Sequence, residues 1–225
     1  MYAWFVKRAV PNDYFQTAKN NGQTLFEYLE DVAEQIPPGQ TGLIALDWWN
    51  GNRSILADAD LTGVLVGMTL STKPEDIYRA LLESTAFGTR RIVENFREHG
   101  VHLKELVACG GIVLKSPLLM QIYADVCGLP VTVRSSAEIP ARGAALFGAV
   151  AAGKEAGGFN TIQEASSVLA PPIGRIYRPN AAATNVYDAA YEVYRELYDY
   201  FGRDNSQLLH RIKSIRTESF RKSGQ

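Results

Sequence analysis

The chain is poor in the residues that most readily mark a chemistry. It has two cysteines, Cys109 and Cys127, and three histidines, His99, His102 and His210. Neither cysteine has the spacing of a zinc ligand set, and the histidines do not cluster with them. Both cysteines sit at the ends of apolar segments, which predicts buried free thiols in a reducing compartment rather than a disulfide. Charge of one sign is lacking too. The 23 basic and 24 acidic residues leave a net charge of −1, which gives no electrostatic case for a nucleic acid partner. No apolar run reaches the ~20 residues needed to cross a bilayer, and no signal-peptide pattern opens the chain. Internal repeats and low-complexity segments are absent. The expected setting is the cytoplasm, with no membrane as partner.

What is present is an apolar share of 46% over 225 residues. That suffices for a sizeable core in one large domain or two small ones. Met1-Tyr2-Ala3-Trp4-Phe5-Val6 is amphipathic and aromatic from the first residue, as though a helix were entered midway. Domains usually begin with a frayed polar segment, so the expectation is that something precedes this one.

Residues 2–8 read as helical, and Pro11-Asn12-Asp13 breaks them. Thr24 and Glu27 form a capping box in sequence, opening a helix whose apolar residues run Leu25, Phe26, Leu29, Val32, Ala33, Ile36. Thr41–Trp49 and Gly63–Met68 read as strands, separated by the polar loop Asn50-Gly51-Asn52-Arg53. Pro74 opens a long helix that Gly100 stops, with Ile77, Leu81, Ser84, Gly88, Ile92 and Phe96 near one face. A mid-helix glycine costs about 1 kcal/mol relative to alanine. Ser84, Ala86 and Gly88 therefore predict close packing against a sheet.

Leu106-Val107-Ala108-Cys109 reads as a short buried strand that Gly110 and Gly111 end abruptly. Ser116 and Pro117 have the form of an N-cap and first helical residue. Glycines let a ligand approach the main chain closely, and a helix start offers unpaired N–H groups to polar atoms. The same pattern also serves as an ordinary strand-to-helix turn. Gly128 closes the helix, Val131–Arg134 is a strand, and Pro140 opens the small-residue helix Ala141–Ala152 that Gly153 ends. That helix is expected to fit closely against a sheet. Residues 104–153 thus predict a parallel strand–helix–strand–helix layer in an α/β fold.

Residues 154–180 read as loop around a short helix. The helix after them carries Val186, Ala190, Val193, Leu197 and Phe201 on one face. Leu208, Leu209, Ile212 and Ile215 mark a final amphipathic stretch whose other face is basic: His210, Arg211, Lys213 and Arg216. It fits a solvated surface helix, or one facing a partner or membrane.

Three stretches together resemble the C-terminal domain of the FGGY carbohydrate kinases. The first is Gly63-Val64-Leu65-Val66-Gly67-Met68, seven residues, then Asp76-Ile77-Tyr78-Arg79-Ala80-Leu81-Leu82-Glu83. The second is Cys109-Gly110-Gly111 with Ser116, Gln121 and Ala124-Asp125, similar to the family's adenosine motif. The third is Ala141-Arg142-Gly143-Ala144-Ala145. Within the family, Leu46-Asp47-Trp48-Trp49-Asn50-Gly51-Asn52-Arg53 most resembles the ribulokinase branch of arabinose catabolism.

The resemblance implies part of a ribonuclease-H-like domain of the actin/hexokinase/Hsp70 superfamily, with its first core strands missing. Residues 1–202 would form the partial kinase domain and 203–225 an amphipathic tail helix. It implies ATP and Mg as cofactors, and transfer of the γ-phosphoryl group to a hydroxyl of L-ribulose. By it, Gly110 and Gly111 lie against adenosine, Lys115 and Ser116 border the purine, and Ala3 and Trp4 approach the other wall. Asp47, Asn50 and Arg53 face the cleft, though a loop held by its own polar side chains would look the same.

The resemblance assigns no catalytic residue and no metal ligand to these 225 residues. The base, the phosphate loop and the sugar site are expected upstream. The isolated chain is therefore expected to be inactive, to bind ATP weakly at best, and to dissolve poorly because of an unpaired sheet edge. The C-terminal helices would suit a homodimer. The alternative is a non-catalytic truncated module that binds nucleotide or an oligomeric partner.

Overall fold

The computed structural model describes residues 1–134, 138–170 and 172–222. The final residues of the predicted tail, 223–225, lie outside the described residues. Helices dominate: α1 (Tyr2–Arg8), α2 (Asn12–Asn20), α3 (Leu25–Glu34), α4 (Pro74–Glu98), α5 (Gly111–Lys115), α6 (Pro117–Cys127), α7 (Ile139–Ala152), α8 (Ile162–Leu169), α9 (Ala181–Asp199) and α10 (Ser206–Lys222). Strands β1 (Ile44–Leu46) and β2 (Val64–Val66) pair antiparallel. Strands β3 (Leu106–Ala108), β4 (Val131–Arg134) and β5 (Ile173–Tyr177) form a second sheet in the order β3-β4-β5.

The chain is thus mixed α/β with small sheets. β3 and β4 run parallel, with α5 and α6 as their crossover, as the sequence predicts. β5 runs antiparallel to β4 where the sequence reads as loop. Four of its five residues are exposed, and Gly174 and Arg175 blur its alternation. α2 is likewise unpredicted, because Pro11 acts as its N-cap residue instead of ending the local helical structure.

The long helix α4 organises the core. From Tyr78 to Phe87 nearly every residue is buried, including Arg79, Glu83 and Ser84, as befits a helix surrounded by other elements. Its start is held by the Lys73 amide, which donates to Asp76 Oδ2 at 2.8 Å. α3 carries the predicted capping box, with the Thr24 amide donating to Glu27 Oε2 at 2.8 Å. Buried Arg79 ties three helices together. It donates to Glu83 Oε1 at 2.9 Å, to the Ala33 carbonyl at 2.8 Å and to the Tyr187 hydroxyl at 2.9 Å.

α9 corrects the predicted apolar face. Its buried residues are Tyr187, Tyr191, Tyr194 and Tyr198. Val186 and Val193 are exposed. The four tyrosines run at i, i+4, i+7 and i+11, which is one helical face. Phe87 of α4 meets three of them at ring separations of 6.1, 6.0 and 5.4 Å. A tyrosine buries a large ring provided its hydroxyl finds a partner, and the carboxylates of Glu83, Glu94 and Asp47 accept from Tyr187, Tyr191 and Tyr194.

α7 also departs from expectation. None of its residues is buried, and a Cβ added at Gly143 or Gly148 would meet nothing within 4 Å. It lies against α8 rather than a sheet, because β3-β4-β5 offers it no strand. Of the four basic residues that the sequence picks out on α10, two pair with the loop after β1: His210 Nε2 lies 2.8 Å from Asp58 Oδ2, and Lys213 Nζ 2.7 Å from Asp60 Oδ1, while Arg211 and Arg216 stay exposed. Leu209 is buried, while Ile212, Ile215 and Phe220 are exposed. Of the two free cysteines, Cys127 is buried as predicted and Cys109 is exposed at the edge of the Gly-Gly turn.

Candidate functional site

Two places hold the residues singled out by the sequence. The first is the turn after β3. Gly110 has φ +108° and ψ 172°, a conformation open essentially to glycine alone. Gly111 begins the short helix α5, and Lys115 ends it, exposed. A Cβ on either glycine would meet nothing within 4 Å, so the main chain here is open on its outer side.

Ser116 points the other way. It is buried and caps α6, accepting from the Leu119 amide at 3.2 Å. Its hydroxyl donates to Glu30 Oε1 at 2.6 Å, and the Leu118 amide donates to the same oxygen at 3.1 Å. Burial pushes the Glu30 carboxyl above its ordinary range, against the pull of these hydrogen bonds. The first amides of α6 are therefore partly satisfied from within the protein. Glu30 was not a residue the sequence singled out; it is one of four acids on α3, and the other three, Glu27, Asp31 and Glu34, are exposed.

The second place is a cavity of about 540 Å³ beside the loop after β1. Asp47, Asn50 and Arg53 all line it, together with Trp49, Arg91 and Tyr198. Gly110, Gly111, Lys115 and Ser116 do not. The loop is closed by two backbone bonds of 2.8 Å between Asn52 and Asp58, and α10 pins its far end through His210 and Lys213. Trp48 is buried against Tyr198, ring centroids 5.1 Å apart. Trp49 is partly exposed and packs on Trp4 at 5.2 Å. Trp4 thus reaches this loop.

Asp47 sits against α4. A Cβ on Gly88 would lie 2.7 Å from Asp47 Oδ2, so this mid-helix glycine makes room for a carboxylate rather than for a sheet. The Tyr194 hydroxyl donates to Asp47 Oδ1 at 3.3 Å. Burial pushes the Asp47 carboxyl up to about 6, while hydrogen bonds pull it down. Arg91 is held by Glu98 at 3.1 Å and Glu94 at 3.7 Å. Sequence periodicity singled out Gly88 but not Arg91 or Tyr198, whose place at the cavity depends on how α9 lies across α4.

Among the described residues no helix is long and apolar enough to cross a membrane. No group of three or more His, Cys, Asp or Glu residues there could hold a metal ion.

Comparison with known proteins follows the same lines. Residues 1–152 match the FGGY family of carbohydrate kinases, C-terminal domain. The ribulokinase of Shouchella clausii (strain KSM-K16) is 48% identical over 219 residues, which is 97% of this chain and 39% of that protein. The ribulokinase of Halalkalibacterium halodurans is 47% identical over 223 residues, 99% of this chain and 40% of that protein. The chain therefore spans about two fifths of the length of these relatives.

Among solved structures, ligand-bound xylulose kinase from Lactobacillus acidophilus superposes with a TM-score of 0.70 at 22% identity, over 88% of this chain and 39% of that one. Plasmodium falciparum glycerol kinase with ADP gives 0.58 at 21%, over 84% and 35%. These two likenesses establish the fold. Taken with the family match over residues 1–152 and the identity to ribulokinases, they leave one assignment: the chain belongs to the FGGY family of carbohydrate kinases, within its C-terminal domain.

Proposed function

We propose that this chain is the nucleotide-side portion of an ATP-dependent ribulokinase. It acts in the cytoplasm in arabinose catabolism, within a ribonuclease-H-like domain whose first strands lie outside these residues. ATP supplies the phosphoryl group that passes to a hydroxyl of L-ribulose. Such transfer depends mainly on positioning and charge stabilisation. The observation that carries the reading is the open main chain at Gly110 and Gly111, in a family of kinases.

The residues of that turn fit a flat, uncharged adenosine. Two glycines with free space at Cβ let a ring lie on the peptide planes. Lys115, exposed one helical turn on, borders it. Ser116 holds the turn in place through Glu30 and α6. Mg would accompany ATP, held mainly by parts outside these residues; the described residues contain no group of three or more His, Cys, Asp or Glu that could hold it, and no step is assigned through it. Asp47, Asn50 and Arg53 organise the cleft without doing chemistry. The base belongs to no residue of this chain, so the chain by itself is inactive. Residues 1–202 make the kinase portion and 203–225 a tail. Exposed Ile212, Ile215 and Phe220 on that tail support a homodimer.

A chimaera tests this. These 225 residues replace the matching segment of the Shouchella clausii ribulokinase. Turnover of ATP dependent on L-ribulose is expected, and Gly110→Val is expected to raise KM for ATP about tenfold or more, since a β-branched residue cannot take φ +108° without strain. A folded chimaera without turnover overturns the reading, as does a Gly110→Val variant with unchanged KM. The isolated chain is expected to show no turnover, and micromolar ATP affinity by calorimetry would contradict it.

A further inference from the structure

We infer that α10 is a clamp on the cleft: His210 and Lys213 are positioning residues that hold the loop of residues 50–60 in a strained form and so fix where Asn50 and Arg53 stand. The inference deepens the proposed function and rests on it for placing that loop at the cleft.

The loop supplies the first observation. Ile55 has φ +75° and Ala57 φ +52°. This is the left-handed region, which glycine favours and a β-branched residue avoids. Residues held there persist where their surroundings over-determine them. Two backbone bonds cross the loop, both between Asn52 and Asp58, and the Asp60 amide donates to Asp58 Oδ1 at 2.8 Å. The stretch carrying Arg53 and both left-handed residues closes on this junction.

α10 grips the junction. His210 Nε2 donates to Asp58 Oδ2 at 2.8 Å. Lys213 Nζ donates to the Ala59 carbonyl at 2.9 Å and to Asp60 Oδ1 at 2.7 Å. The side chains of His210 and Asp58 are only 28% and 26% exposed, so this pair is better shielded from water than a surface pair. The turn joining α9 to α10 meets the same loop. A Cβ on Gly202 would lie 2.5 Å from Leu56 Cδ1 and 3.0 Å from Trp48 Cη2.

Burial does not account for where α10 lies. Of its large apolar residues Leu208, Leu209, Ile212, Ile215 and Phe220, only Leu209 is buried. Polar contacts with the loop attach the helix, so loosening one loosens the other. The residues matched to the family end at 152, and family membership therefore assigns α10 no part in the reaction. The direction of the effect follows from the cavity. Asn50 and Arg53 line it, and Gly110 and Gly111 do not. Releasing the clamp weakens the sugar side and spares the nucleotide side.

The test is the double variant His210→Ala, Lys213→Ala. Beside it stand the conservative pair His210→Gln, Lys213→Arg and the control Arg211→Ala, an exposed residue of the same helix. Hydrogen exchange is followed in the full chain. The amides of Asn52, Asp58 and Asp60 are expected to exchange about tenfold faster in the alanine pair, with those of α4 unchanged. Gln and Arg keep a donor at each place and should restore most of the protection, while Arg211→Ala should not alter it. Ala57 is exposed, and glycine takes φ +52° freely. Ala57→Gly added to the alanine pair should therefore slow exchange about threefold. In the chimaera the alanine pair should raise KM for L-ribulose about tenfold and leave KM for ATP within about twofold.

Unchanged exchange at Asn52 and Asp58 would overturn the inference. So would a conservative pair no better than the alanines, a control with the same loss, or an Ala57→Gly that slows nothing. Exchange that quickens in α4 as well would also overturn it, because α10 would then support the fold at large. A chimaera that turns over ATP with neither KM moved by the alanine pair sinks this inference alone. Faster exchange in the loop beside an inactive chimaera sinks only the kinase reading.

Discussion

α6 and α7 are two apolar helices of one strand–helix layer, each with a proline in its first turn, and they end in opposite environments. Eight of the eleven residues of α6 are buried, and none of the fourteen of α7. α6 has α4 on one side, α9 on another, and β4 and β5 beneath. α7 has α8 and the turn after its own end. On these two helices Phe147 and Val168 are each more than half exposed, and so are Val107 of β3 and Ile173 of β5. Apolar patterning says that a helix needs a partner, not whether the chain supplies one. The value of burial, ~25 cal/mol per Å² of apolar area, is realised only on the side of α4, α6 and α9.

If that contrast is right, the largest losses of stability come from the buried network beside α6. Arg79→Ala removes a 3% exposed guanidinium that joins α3, α4 and α9. It leaves the Glu83 carboxylate buried without its partner. The expected loss is about 3–5 kcal/mol by urea unfolding. The double variant Arg79→Met, Glu83→Leu should lose much less, because no unpaired charge remains. Equal losses in the two would mean that packing volume, not charge, carries this junction.

Asp47 sharpens the comparison through pH. Burial holds its carboxyl at about 6 in the folded chain, above its ordinary 3.8. The folded state therefore binds more protons than the unfolded state between these values. Stability from this group is fully present below about pH 4 and is lost as pH rises through about 6. The shift corresponds to at most about 3 kcal/mol. Asp47→Asn should flatten the fall in stability between pH 4 and 7 and gain up to that amount at pH 7. A variant whose pH profile parallels that of the unmodified chain would show Asp47 to be well solvated when folded.

How much of this could be read beforehand follows the same divide. The capping box at Thr24, the stops at Gly100, Gly128 and Gly153, and the parallel β3–β4 pair are local signals, and the structure has them where the sequence puts them. Asp47, Asn50 and Arg53 were legible as a group because they share one loop, and the cavity does gather them. The tyrosine face of α9 was not. Its valines and its tyrosines both repeat at helical spacing, and the choice between them is made by carboxylates more than 90 residues away, on α4 and in the loop after β1. Ser116 was legible as a cap, but Glu30, which takes its hydroxyl, lies 86 residues earlier. Exposure of Cys109 was illegible because it follows β3, and that β3 is the edge strand of its sheet among the described residues is not a local signal.

The smallest effects come from one substitution made in both regions. Gly88→Ala and Gly148→Ala each replace a glycine inside a helix, where alanine is favoured by about 1 kcal/mol. On α4 the new methyl would lie 2.7 Å from Asp47 Oδ2 and 3.0 Å from Oδ1. The carboxylate must move, and the hydrogen bond from Tyr194 goes with it. Overpacking of this kind costs about 1–3 kcal/mol, which outweighs the propensity gain, so Gly88→Ala should lose about 1 kcal/mol. On α7 the same methyl meets nothing within 4 Å, so Gly148→Ala should gain about 0.5–1 kcal/mol. Thermal unfolding of the two variants side by side gives the sign of each. A loss at Gly148 would mean that α7 is packed in solution against something its exposed face conceals, and the contrast between the two helices would fall with it.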